Sequence, residues 1–150
     1  LLFELLTKTE LNVNSGYNLV PFTEIMRYDF GTEGFYLNVL GNILIFIPFG
    51  YFVSSYIKAK KISHILIVSI ITSFTVEFVQ HYIGRSFDVD DILLNTIGSI
   101  CGFLLYIGFS AIKQHLPSVF KSDLFYNLLC ILLCVVAVWY YLGIMGIHLF

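Results

Sequence analysis

The stretch Glu77-Phe-Val-Gln80-His81-Tyr-Ile-Gly84-Arg85-Ser-Phe-Asp88-Val-Asp90-Asp91-Ile-Leu-Leu-Asn95 gathers ionisable groups in a chain that is otherwise largely apolar. Hydrophobic runs flank it on both sides, from Ile62 to Ile83 and from Asp91 to Ile112. Each run is close to the ~20 residues an α-helix needs to cross a bilayer core. The stretch therefore reads as the polar break between two membrane-spanning helices. Charge at membrane depth is costly, so groups that stay there pair, line a wet cavity, or act.

Working outward, two further runs of spanning length appear, Leu37 to Ile57 and Leu124 to Leu142. The chain is 58% hydrophobic and 12% charged, against roughly 25% charged in an average soluble domain. So few polar residues cannot cover that much apolar surface in water. The expected fold is all-α: one polytopic transmembrane helical bundle over 1–150, with four full spans and an outer interfacial segment. Leu1 to Leu6 reads as the remnant of an N-terminal fifth span. Pro48 removes a backbone donor inside the first span and should kink it, with Gly50 easing the bend. Cys101, Cys130 and Cys134 lie in apolar runs without CxxC spacing and read as small hydrophobes.

The basic residues orient the spans. Lys58, Lys60 and Lys61 follow the first span, and Lys113 and Lys121 follow the third. The positive-inside rule puts both breaks on the cytoplasmic side, so the Arg85 break and the segment before the first span face outward. Trp139, Tyr140 and Tyr141 suit an aromatic belt at the outer end of the last span. Within Gly16 to Tyr36, Phe22, Ile25 and Met26 fall at i, i+3 and i+4 after Pro21. That spacing fits a short amphipathic helix in the outer interface; an irregular connector anchoring aromatics is the alternative.

Helical spacing turns the polar stretch into faces. Glu77, Gln80, His81 and Gly84 share one face of the second span, with Glu77 roughly 9 Å below its outer end. Asp88, Asp91, Asn95, Gly98 and Gly102 form a stripe on the third. Asn38 and Asn42 lie one turn apart on the first span at similar depth. Gly41, Gly98 and Gly102 would let these helices approach closely. Glu77, Gln80, Arg85, Asp88, Asp91, Asn95, Asn38 and Asn42 are thus candidate ligand-binding residues of an outward polar pocket. Asp90 suits a cap at its own helix N-terminus, and His81 reads as a partner for a carboxylate. A direct Glu77–Arg85 pair requires the chain to fold back after Gly84. Purely structural roles stay open: the asparagines as interhelical glue, Arg85 as an outer salt bridge.

The same residues carry a family resemblance. Asn18-Leu-Val-Pro21-Phe22, Asn38-x-x-Gly41-Asn42-Ile-Leu-Ile-Phe46-Ile-Pro48-Phe49-Gly50, Glu77-x-x-Gln80 and Arg85-x-x-Asp88-x-Asp90-Asp91-x-x-x-Asn95-x-x-Gly98 follow in order over Tyr17 to Tyr106. This ordered set resembles the VanZ-like family of bacterial membrane proteins. The resemblance implies lowered susceptibility to teicoplanin and related lipoglycopeptides, in the bacterial cell membrane. No Walker, GxSxG or HExxH sequence appears, and Asp88-x-Asp90-Asp91 is not a complete metal motif. The leading expectation is therefore a non-enzymatic protein with no cofactor or metal, and with no nucleic acid among its partners. Its partners would be membrane lipids and, in the pocket, a lipoglycopeptide or a lipid-linked cell-wall precursor. An intramembrane enzyme acting on such a precursor is the alternative, with Glu77 or His81 as general base and Asp88 with Asp91 holding a divalent cation. A transporter ranks third, because the lysine-side half offers no ionisable path.

Overall fold

A computed structural model describes residues 16–115, 117 and 122–144. Four of its helices are long and apolar enough to cross a membrane, over Phe35–Ile57, Ile62–Tyr82, Val89–Lys113 and Asp123–Tyr140. The bundle is all-α apart from one minimal strand pair, and the four expected spans recur within a few residues. The Leu1 to Leu6 reading lies outside the described residues.

In chain order the elements are β1 (Tyr17–Asn18), α1 (Thr23–Arg27), a π-helical segment (Phe35–Leu40) running into α2 (Gly41–Ile57), α3 (Ile62–Tyr82), β2 (Phe87–Asp88), α4 (Val89–His115) and α5 (Asp123–Ile144). Parallel β1 and β2 set Tyr17 opposite Phe87 and Asn18 opposite Asp88. Two-residue strands carry no periodicity, and hydropathy alone does not reveal them. A π-helical segment opens the first span, and Pro48 lies within α2.

The short helix after Pro21 forms, but as only five residues. Its apolar residues Phe22 and Met26 are exposed and do not pack on the bundle. What seats it is a polar contact described below.

Helix α4 is the centre of the bundle. In its apolar window 33% of residues are buried, against 11% for α5 at the edge. Against α2 the contact is backbone to backbone. A Cβ added at Gly98 would lie 2.2 Å from the Ile43 carbonyl oxygen, and one at Gly102 would lie 2.1 Å from that of Ile47. On the facing side, a Cβ at Gly50 would lie 2.1 Å from the Ser99 carbonyl oxygen. Gly98 and Gly102 thus do permit close approach, and Gly50 acts with them as a packing residue.

Against α3 the contact is polar. Ser69 Oγ donates to Ser99 Oγ at 2.8 Å, and Asn95 Nδ2 donates to Ser73 Oγ at 2.8 Å. One further four-residue step along both helices sets Glu77 against Asp91, near enough for the two carboxyls to interact electrostatically. The constant step, forward on one helix and backward on the other, is the signature of an antiparallel pair in one register. Ser69, Ser73, Glu77 and Ser99 are all essentially inaccessible. In a medium that offers no water, each polar group here needs its partner. The serine rungs were not legible beforehand, since isolated serines in apolar runs look like ordinary small residues.

Candidate functional site

The acidic end of the bundle is assembled by a turn. Helix α3 ends in a Schellman motif: the Gly84 N–H donates to the His81 carbonyl at 3.0 Å, and the Arg85 N–H to the Gln80 carbonyl at 3.0 Å. Gly84 has φ of +94°, a left-handed conformation that glycine adopts without steric cost. The reversal brings Arg85 back over the end of α3, which is the fold-back that a Glu77–Arg85 link requires. The link runs through Gln80. With its amide oriented by its neighbours, Gln80 nitrogen donates to Glu77 Oε1 at 2.7 Å and its oxygen accepts from Arg85 Nη1 at 3.1 Å.

The next residues build the roof. The Asp88 N–H donates to Glu77 Oε2 at 3.2 Å, tying β2 to α3. Asp88 Oδ1 accepts from the Asp90 N–H at 2.8 Å and from Asn18 Nδ2 at 3.0 Å. Asp88 is therefore the N-cap of α4 as well as the anchor of β1. Burial holds its carboxyl above the ordinary range, against the downward pull of the Asp90 and Asn18 hydrogen bonds.

Asp90 does something the sequence reading did not assign. It does not cap its own helix. Its Oδ1 accepts the Phe22 N–H at 2.6 Å, and its Oδ2 accepts those of Glu24 at 2.7 Å and Ile25 at 3.2 Å. A fully buried carboxylate thus caps α1 from across the chain. This clamp also holds Phe22 at φ of +69°, which is costly for a bulky side chain. No local motif signals a cap supplied from such a distance.

Asp91 points the other way. Asn42 Nδ2 donates to Asp91 Oδ1 at 2.5 Å, joining α2 to the layer. One carboxylate cluster therefore divides its work: Asp88 to β1, Asp90 to α1, Asp91 to α2 and α3.

Between this layer and α1 lies a cavity of about 210 Å³. Its lining includes Glu24, Arg27, Asn38, Arg85, Asp88 and Asp91. Glu24 pairs with Arg27 at 3.0 Å within α1. Of the candidate residues, Arg85, Asp88, Asp91 and Asn38 line the cavity directly. Asn38 is exposed, and its Nδ2 donates to the Gly34 carbonyl in its own helix at 3.0 Å. Gln80, Glu77 and Asn42 stand behind the lining and hold Arg85 and Asp91. Asn95 lies deeper, bonded to Ser73 in the ladder. His81 is no carboxylate partner: its Nδ1 lies 3.2 Å from the Arg85 carbonyl oxygen, and its ring packs 4.5 Å from that of Tyr17. The cysteines are free thiols, with Cys130 buried in α5. Among the described residues, no three His, Cys, Asp or Glu side chains are grouped to hold a metal ion.

These features define a class: a helical membrane protein with a small, charged, roofed cavity at one end of its bundle. The family follows from comparison. The model for the family VanZ/LLP1 matches residues 3–114, and the chain belongs to that family. It is also similar to Protein VanZ of Enterococcus faecium, with 28% identity over 149 residues, covering 91% of this chain and 84% of that one. No solved structure matches.

Proposed function

We propose that this is a multi-pass protein of the bacterial cell membrane, with its acidic end outward, that lowers susceptibility to teicoplanin and related lipoglycopeptides. In this reading the cavity under α1 binds the polar headgroup of a ligand lying in the membrane interface. The observation that carries it is the cavity itself, lined by Arg27 and Arg85 beside Glu24, Asp88 and Asp91, and roofed by a segment clamped through Asp90. A guanidinium suits a phosphate or carboxylate, and the carboxylates suit amines and hydroxyls. Pockets that enclose drug-sized molecules hold ~300–1,000 Å³, so about 210 Å³ suits a headgroup and not a whole glycopeptide. The favoured ligand is therefore a lipid-linked cell-wall precursor, engaged by its polar end. The relative's name, Protein VanZ, supports the resistance context.

The test is expression in a susceptible Gram-positive host, with teicoplanin and vancomycin compared. Protection should favour the lipidated drug and disappear in Arg85→Ala and Glu77→Ala variants present at normal membrane levels. Undiminished protection in both variants would overturn the reading.

A second reading, an intramembrane enzyme acting on the same precursor, is favoured by the nearness of Asp91, in the cavity lining, to the Glu77 carboxyl behind it. Paired carboxyls are common acid–base machinery. It predicts a modified precursor, detected by mass spectrometry with the purified protein and absent with Asp91→Asn.

A further inference from the structure

A second cavity, of about 610 Å³, opens at the opposite end of the bundle, between the end of α2, the last turns of α4 and the start of α5. Among the described residues its lining carries the ammonium groups of Lys58, Lys60 and Lys113 against the one carboxylate of Asp123. Lys113 is engaged with that carboxylate and lies 5.9 Å above the Tyr126 ring. Lys58 and Lys60 make no ion pair among the described residues. Lys58 is the left-handed C-cap of α2, at φ of +49°, so its backbone is held where the helix ends.

The deeper wall is aromatic and aliphatic, including Tyr51, Tyr126 and Ile107, and Ile107 is itself 40% exposed. The Tyr126 hydroxyl is buried without a hydrogen-bond partner among the described residues and does not reach the cavity surface. The site thus offers cations to an anion and an apolar flank to what is attached to it.

We propose that this cavity recognises a phosphate group, supplied by the headgroup of an anionic phospholipid. Clusters of lysine at a helix end meet anionic lipid in the cytoplasmic leaflet, where the positive-inside rule puts this end. The phosphodiester lies between the lysines, and the acyl chains run along the Ile107 side. This site is separate from the cavity at the acidic end and does not depend on that cavity's ligand.

The experiment uses the full chain in neutral detergent, with native mass spectrometry in the presence of phosphatidylglycerol, phosphatidylcholine, or inorganic phosphate. One phosphatidylglycerol should be retained under activation that strips phosphatidylcholine. Lys58→Gln with Lys60→Gln should weaken retention about tenfold, as loss of charge-assisted contacts does. Asp123→Asn should strengthen it. Equal retention of both lipids, or retention indifferent to the lysine variants, would overturn the site. Displacement of phosphatidylglycerol by millimolar inorganic phosphate would keep the phosphate chemistry and overturn its lipid source.

Discussion

Asp90 Oδ1 lies 2.6 Å from the backbone nitrogen of Phe22, 68 residues earlier in the chain. That one contact, with its companions at Glu24 and Ile25, fastens the roof of the cavity to the core of the bundle. Helix α1 itself buries no residue, and the other anchor of the segment is the β1–β2 pair with Asn18 on Asp88.

Asp90→Ala should free the roof without unfolding the spans. Backbone hydrogen exchange over 22–27 should rise sharply while α3 and α4 stay protected. The thermal midpoint should fall by the equivalent of about 2 kcal/mol, in the range for hydrogen bonds to a charged group. Unchanged protection over 22–27 would show that something other than Asp90 seats α1.

Glycine substitutions should separate packing from propensity. Gly98→Ala and Gly102→Ala each drive a methyl into a carbonyl of α2. Each should destabilise by about 1–3 kcal/mol, as overpacking does. Gly108→Ala, with nothing within 4 Å of its added Cβ, should be neutral or stabilising through helix propensity. Thermal unfolding in detergent distinguishes these outcomes.

The Ser69–Ser99 rung can be tested by a double-mutant cycle with alanine. The coupling should be about 0.6 kcal/mol and no more than ~1.7, the range found for hydrogen bonds between membrane helices. A coupling of zero would mean that the serines serve only as small residues.

Gly84→Ala should resemble Arg85→Ala in function. The left-handed turn at φ of +94° becomes strained by roughly 1–2 kcal/mol, and Arg85 no longer returns over Gln80. Teicoplanin susceptibility should therefore rise in both variants. Full protection by Gly84→Ala would separate Arg85's position from the activity.

Asp88 carries a pH signature. Its folded carboxyl is held above the ordinary value of 3.8, so the folded protein keeps this proton where the unfolded chain has lost it. Its contribution to stability is thus fullest below that value and is lost as pH rises through the folded pKa. Comparing thermal midpoints of the native chain and Asp88→Asn upward from about pH 4 isolates the effect. The native chain should lose ground to the variant as pH rises; the opposite slope would contradict the burial of Asp88.

Much of this protein is legible along one dimension. Four spans, their alternation and the concentration of charge at one end follow from hydropathy and helical period, which depend on residues near one another in the chain. Glu77 and Asp91 are recognisable because a carboxylate in an apolar helix is expensive wherever it points. Only the tertiary structure decides what each acidic residue does. Asp88, Asp90 and Asp91 are near neighbours in sequence, yet they reach β1, α1 and α2, because those assignments depend on how helices rotate and register against one another. Asn95 looked like a wall of the cavity and is a rung below it for the same reason. The serines of the ladder acquire meaning only from what lies opposite them. Hydrophobic burial sums over a segment and can be read from it; a hydrogen bond needs a particular partner at a particular distance, and the partner is chosen by the fold.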